Sequence, residues 1–180
     1  FMRGGTSKAI VFRRDDLPED RAEWDRIFLA ALGSPDPNGR QLNGMGGGIS
    51  TLSKICVVGP SERLDADVDF TFAQVGVDKE VVGYGANCGN MSSAIGPFAV
   101  DEGLVTVAGD EATVRIYNTN TDKIIYARFA LDGGLAAVEG DFELPGVAGE
   151  GAPVRMEFRD PGGAATGRLL PTDNVIDAIE

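Results

Sequence analysis

The chain contains no histidine, and that absence removes several chemistries at once. Ser-His-Asp and Cys-His catalysis are excluded within these 180 residues, as are HExxH and Cys2His2 zinc sites, and no metal site is expected. Positive charge is scarce as well. The 16 Lys and Arg stand against 28 Asp and Glu, a formal net charge of −12. Phosphate backbones need a basic face that such a chain cannot easily assemble, so nucleic acid is not an expected partner. No run of about 18 or more apolar residues is present, so no membrane-spanning helix and no membrane partner is expected. The two cysteines, Cys56 and Cys88, make neither a disulfide framework nor a CxxC motif, and a reducing, cytoplasmic setting fits them. Phe1-Met2-Arg3 runs at once into glycines and does not read as a signal peptide. Because Phe1 precedes Met2 and the chain stops abruptly at Ile179-Glu180, we expect a fragment of a longer protein.

What is present describes one β-rich unit. Hydrophobic residues are 43% and charged residues 24%, a balance that supports a packed core. Twenty-five glycines among short β-branched runs predict many turns. Lys8 to Phe12 reads as a strand. Pro18 opens a helix whose stripe is Trp24, Ile27, Phe28, Ala31 and Leu32, and Gly33 ends it ahead of the turn residues 34–39. Ser53 to Val58 is an apolar strand. Val68, Phe70 and Phe72 alternate with Asp67, Asp69 and Thr71, with Val77–Val82 as the expected partner strand. Beyond Cys88, Ala94, Ile95, Phe98 and Ala99 mark an apolar helix ending near Gly103, with a kink expected at Pro97. Thr113–Tyr117, Ile124–Phe129 and Val154–Phe158 alternate as strands, and 145–152 reads as a surface loop. A nearly all-apolar helix must be buried. The expected fold is therefore α+β: a curved, barrel-like antiparallel sheet wrapped round a central apolar helix and covering its every side.

Four polar segments carry the candidate chemistry: 2–8, 44–54, 85–93 and 118–123. Cys88 stands just before the apolar helix, where unpaired N–H groups and the helix dipole favour its thiolate. The N–H groups of Gly89, Asn90 and Met91 would hold a substrate carboxylate. Cys56, inside a strand, reads as a small buried hydrophobe. Lys54 leads into the apolar strand; a desolvated amine there can serve as a general base. With histidine absent, Lys and Cys are the groups best suited to move a proton from carbon, since Asp and Glu would repel an anionic substrate. Gly44–Gly48 is neither GxGxxG before a helix nor GxxxxGK[ST], so a nucleotide is disfavoured. Its backbone N–H groups, with the hydroxyls of Thr6, Ser7, Ser50, Thr51 and Ser53, are expected to bind carboxylate oxygens. Arg3, Lys8, Lys54 and Lys123 would make a local positive pocket.

These segments resemble the PrpF family, which comprises 2-methylaconitate cis-trans isomerases, 4-oxalomesaconate tautomerases and methylitaconate isomerases. The resemblance is carried by MRGGTSK at 2–8, GSPDPNGRQLNGMGGG at 33–48, STLSK at 50–54, NCGNMSSAIGPFAVDEGLV at 87–105, ATVRIYNTNTDKII at 112–125 and GDFELPGV at 140–147. Cys-Gly-Asn before an apolar helix also resembles the diaminopimelate epimerase superfamily. The resemblance implies two domains, each a curved sheet round a helix, with the active site between them. Residues 1–180 would then be the N-terminal epimerase-like domain, with its C-terminal domain absent. It further implies proton transfer by Lys54, a supporting acid/base role for Cys88, and substrate-carboxylate contacts from the Gly4, Thr6 and Ser7 strand and from Asn90, without a cofactor. Gly48-Ile49 and Leu52 depart from the small or hydroxyl residues expected in the lysine loop, and Asp173 stands where glycine is expected.

The expected function is cofactor-independent isomerisation of a small unsaturated tricarboxylate of the 2-methylaconitate type. The alternatives are an oxalomesaconate- or methylitaconate-type tautomerase and a non-catalytic carboxylate-binding domain. A racemase with two opposed cysteines is disfavoured, because Cys56 is poorly placed to face Cys88. The expected partners are a small di- or tricarboxylate and the chain's own C-terminal domain; a homodimer stays open.

Overall fold

The computed structural model describes residues 1–160, 162–163 and 166–178. The first half comprises β1 (Met2–Gly4), β2 (Ser7–Arg13), α1 (Trp24–Leu32), β3 (Lys54–Pro60), β4 (Val68–Val75), β5 (Val82–Gly83) and α2 (Gly89–Asp101). It continues with β6 (Glu111–Asn118), β7 (Lys123–Asp132), β8 (Leu135–Ala136), β9 (Phe142–Glu143), β10 (Glu150–Gly151) and β11 (Val154–Phe158). The main sheet runs β1-β2-β3-β4-β6-β7-β11, with β5 beside β4 and β8 beside β7. No helix among the described residues is long and apolar enough to cross a membrane.

The sheet has a helix on each face. On β3, Cys56 and Val58 point to one side and Ile55 and Val57 to the other, as strand alternation requires. Ile55, Val57, Ala73 and Val75 pack with Trp24, Phe28, Leu29 and Leu32 of α1 on the outer face. Cys56, Val58, Phe70 and Phe72 pack with Met91, Ile95 and Phe98 of α2 on the inner face. Since α2 touches β1, β2, β3, β6, β7, β8 and β11, the sheet curls round it, in accord with the α+β class and the enclosed helix expected from the sequence.

Several local expectations need correction. Two strand pairs are parallel, β2 with β3 and β4 with β6, so the sheet is mixed rather than antiparallel. Each pair is joined by a long crossover, one carrying α1 outside and the other α2 inside, and a helical crossover returns the chain in the same direction. The first helix begins at Trp24 and not at Pro18. The Asp20 side chain accepts from Ala22 N at 2.9 Å to start a 3-10 turn, and Pro18 O holds the Trp24 indole at 2.9 Å. Of the expected strand 77–82 only Val82 pairs with β4, together with Gly83 beyond it, because Gly76 N donates to Val81 O at 2.8 Å and closes a turn over the charged tip Asp78-Lys79-Glu80. Part of the 145–152 loop is ordered as β10 against β9. α2 continues through Pro97 as one helix. Asp173, in place of the expected glycine, adopts φ 62°, the left-handed conformation glycine favours.

The wrap round α2 is incomplete. Asn90, Ser93, Pro97 and Asp101 line a groove of about 440 Å3 that also meets β1, β11 and the 136–152 arm. Elsewhere the helix is pressed close to the sheet. A Cβ on Gly96 would stand 2.8 Å from Ala127 Cβ and 2.9 Å from Phe129 Cε1. Gly96→Ala, which would stabilise an isolated helix, is therefore expected to destabilise this protein by about 1–3 kcal/mol through overpacking, measured by denaturant unfolding.

Candidate active site

One end of the curl collects the candidate residues. The parallel ladder pairs Ile10 with Ile55, so one step earlier Ala9 and Lys54 stand at the same level, at the strand starts. Lys54 has the register of Cys56, on the inner face, and is only 7% exposed. Its Nζ donates to Gln74 Oε1 at 2.6 Å and lies 5.1 Å from the centre of the Phe72 ring. Gln74 stands directly across from Lys54 on β4. Its Nε2 is held by two carbonyls, Ser50 O at 3.0 Å and Ser53 O at 2.9 Å, which turns the amide oxygen toward the amine. The partner of this buried amine is thus neutral, and its orientation is fixed. Gln74 was not singled out in the sequence; the available signal was a polar residue continuing the Phe70 and Phe72 stripe of β4.

The second part is the start of α2. Cys88 is the N-cap residue, yet no side chain caps the helix and its first turn holds no acidic residue. The positive end of the helix is left for an outside anion. The thiol, half-buried, packs against the core that contains Cys56 and Phe72, so it shares the inner face with Lys54. Burial, then the neighbouring Cys88, push the Cys56 thiol well above its usual value, with Lys54 opposing; Cys56 is fully enclosed and is not an opposed second base. The β1–β2 hairpin closes over the helix start. A Cβ on Gly4 would stand 2.5 Å from Asn90 O, so only glycine permits this approach. Asn90 Nδ2 donates to Thr6 Oγ1 at 3.1 Å, and Thr6 N donates to Asn90 Oδ1 at 3.5 Å.

The glycine loop before Lys54 is a supporting element rather than an open cradle. Met45 N and Gly46 N donate to Ala31 O and Leu32 O at the end of α1. Gly44 N donates to Gln41 O, and Gly48 N to Gln41 Oε1 at 2.9 Å. Those amides are spent internally, which corrects the expectation that they bind substrate. Gln41 is 1% exposed, and its Nε2 donates to Ser34 Oγ at 2.8 Å and Ser53 Oγ at 2.7 Å. Asp36 sets Gln41 in turn by accepting from Asn38, Arg40 and Gln41 N–H groups, and the first two of these hold its carboxyl below the usual range.

Lys54, Cys88, Gly89, Asn90, Gly4, Thr6 and Ser7 are thus gathered at one end of the curl, with Ser50 and Thr51 exposed on a 3-10 turn against β2. Ser7 is enclosed, 2% exposed, on the face of Ala9. Ser53 and Met91 are fully buried, Ser53 under Gln41 and Met91 in the core beneath Gly4, which corrects the expectation that they contact substrate. Lys123 has the register of Ile125 and Ala127 and therefore belongs to the inner face. Lys8 alternates with the inward Ala9, and its ammonium lies over the Phe1 ring at 5.0 Å. Arg3 pairs with Lys8, and its guanidinium donates to Gly5 O at 2.9 Å beside the groove. Of the four cations expected to make a positive pocket, Arg3 lines the groove with Gly89 and Asn90, while Lys54 and Lys123 belong to the inner face outside it. Neither Lys54 nor Cys88 lines the groove.

This arrangement has counterparts among known proteins. The chain is 47% identical to 3-methylitaconate isomerase of Eubacterium barkeri over 99% of its length, covering 47% of that protein. It is 46% identical to 4-oxalomesaconate tautomerase of Pseudomonas putida, covering all of this chain and 49% of the relative. With 2-methyl-aconitate isomerase of Cupriavidus necator the identity is 41%, over all of this chain and 48% of the relative. A crystal structure of methylitaconate-delta-isomerase superposes with a TM-score of 0.89 at 47% identity, over 98% of this chain and 45% of that one. The chain spans about half the length of the curated relatives it matches. The model of the PrpF protein family matches residues 1–180, and with relatives this similar along its whole length the chain belongs to the PrpF family.

Proposed function

We propose that this chain supplies the proton-transfer half of a cofactor-independent isomerase acting on a small unsaturated tricarboxylate of the 2-methylaconitate type. The observation that carries the reading is a buried amine with a neutral partner, Lys54 on Gln74, on the same inner face and at the same end as an uncapped helix start led by a thiol. A substrate carboxylate sits on the N–H groups of Gly89 and Asn90, with Arg3 beside them in the groove as the cation. Unprotonated Lys54 removes a proton from a carbon allylic to the carboxylate-bearing double bond and becomes the ammonium. The electron pair left behind delocalises into a dienolate, which the same N–H groups stabilise as its charge grows. Rotation about the weakened double bond, or its migration, follows. A proton returned to carbon by the Lys54 ammonium completes turnover; where Cys88 gives the proton instead, the thiolate left behind recovers one from the Lys54 ammonium, by way of solvent, before the next cycle.

Oxalomesaconate- and methylitaconate-type reactions share these steps and differ in the carbon that regains the proton. A non-catalytic carboxylate-binding domain would keep ligand-induced stabilisation after loss of both Lys54 and Cys88.

In the full-length protein, Lys54→Ala is expected to lower kcat by about 10²–10⁴-fold while the unfolding transition stays cooperative, measured by ultraviolet absorbance with a panel of unsaturated tricarboxylates. Undiminished turnover would remove Lys54 from the mechanism. Gln74 supplies a second test. Gln74→Leu removes the oriented acceptor and is expected to lower kcat more than it raises KM. In Gln74→Glu a carboxylate replaces the neutral acceptor and favours the cationic form of the amine, the form that cannot accept a proton, so kcat is expected to fall, read in the same absorbance assay.

A further inference from the structure

The turn after β6, Asn118-Thr119-Asn120-Thr121-Asp122, has no part in the proton-transfer scheme, yet its side chains are among the most fully bonded in the molecule. Asn120 behaves as a strand residue made from a side chain. Its Oδ1 accepts from Phe72 N at 2.7 Å, and its Nδ2 donates to Phe72 O at 2.8 Å, prolonging the β4 edge beyond the point where β6 leaves it. The same Nδ2 donates to Tyr84 O at 2.7 Å. Asn118 is fully buried. Its Oδ1 accepts from Thr121 N at 3.0 Å and Thr121 Oγ1 at 2.8 Å, which leaves its Nδ2 to donate to Asn87 Oδ1 at 3.1 Å.

Tyr84 and Asn87 flank the short exposed stretch that leads to Cys88. Asn87 Oδ1 also lies 3.3 Å from Ser92 Oγ, and that hydroxyl and Ser92 N donate to Cys88 O at 3.0 and 2.9 Å. The backbone is therefore tied before Cys88 by two asparagines and at Cys88 by the first turn of α2. The hairpin itself does not call for these bonds, since β6 and β7 already pair from Glu111–Ala130 to Asn118–Lys123. Residues 84–88 have no strand partner, and Cys88 makes no side-chain cap. Upstream the segment is also held by β5 and by the Tyr84 hydroxyl, which donates to Asp25 Oδ1 at 2.7 Å, but between Tyr84 and the first turn of α2 the two asparagines are what tie it to the sheet.

We propose that Asn118 and Asn120 are positioning residues for Cys88: the turn after β6 fixes the 84–88 segment and thereby delivers the thiol to the start of α2. The consequence for turnover rests on the isomerase reading; the consequence for the thiol does not. The test is the rate of iodoacetamide alkylation at Cys88, followed by peptide mass in the full-length protein. Asn118→Ala is expected to raise that rate by about threefold or more, because a freed segment opens locally. Asn87→Ala cuts the same link from its half-exposed end and serves if Asn118→Ala does not fold. Leu131→Ala, which weakens the far end of β7 away from this network, is expected to stay within about twofold of the parent. In an active parent, Asn118→Ala or Asn87→Ala should also lower kcat by about tenfold with KM little changed, the signature of a misplaced reacting group. Cys88 rates that match the parent in both network variants, or a rise in Leu131→Ala as large as theirs, overturn the proposal. An inactive parent protein overturns the isomerase reading, and the alkylation rates then decide the positioning role alone.

Discussion

The contact of α2 with the concave side of the sheet sets the geometry of everything else. Burying Met91, Ile95, Phe98 and Val100 contributes about 1.5–3 kcal/mol each, and no flat sheet covers so many directions of one helix. The sheet must bend, and Gly96 lets β6 and β7 come near enough to do so. Bending has a second result. The starts of β2, β3 and β7 and the end of β4 converge round the beginning of α2, so that residues distant in the chain face one uncapped helix end. The site is a consequence of how the core is enclosed.

At that end, order is imposed almost entirely by neutral carboxamides. Gln74 orients Lys54, Gln41 holds the lysine loop, Asn90 clasps the hairpin, and Asn87, Asn118 and Asn120 secure the approach to Cys88. An amide offers both a donor and an acceptor without net charge. A carboxylate in the place of Gln74 would bind the amine more strongly but would hold it as the ammonium. Carboxylates round the helix start would occupy, by their own charge, the positive end that an anion is to use. Amides give comparable geometric definition and leave the electrostatics of the site to Lys54, Arg3 and the helix N–H groups.

The sequence exposed the parts whose signal is local. The β4 stripe of Val68, Phe70 and Phe72, the helix ending at Gly33 and the apolar helix after Cys88 follow from spacing, and Lys54 and Cys88 stood out as reactive groups beside polar loops. Strand direction was not legible, because alternation is the same in parallel and antiparallel pairs and the crossovers decide between them. The glycine loop misled for a related reason. Glycines signal close backbone approach, but whether the partner is a ligand or Gln41 depends on a side chain brought in through Asp36. Gln74 carries no local signal beside the apolar β4 stripe, although a polar residue at the next inward position of a buried strand needs a partner, and that partner is Lys54.

The net charge of −12 would seem to oppose a polycarboxylate ligand, and distance resolves the conflict. At physiological ionic strength exposed charges are largely screened beyond about 8 Å, whereas a buried charge is screened far less. The acidic excess resides largely in exposed residues such as Glu19, Asp20, Glu62, Asp65, Glu139, Asp141 and Glu143. The amine at the mouth is 7% exposed, and the first turn of α2 carries no acid. At the helix start an anion would meet weak repulsion from these distant acids and the undiluted local attraction of the unpaired N–H groups. The composition of the surface carries no information about that local field.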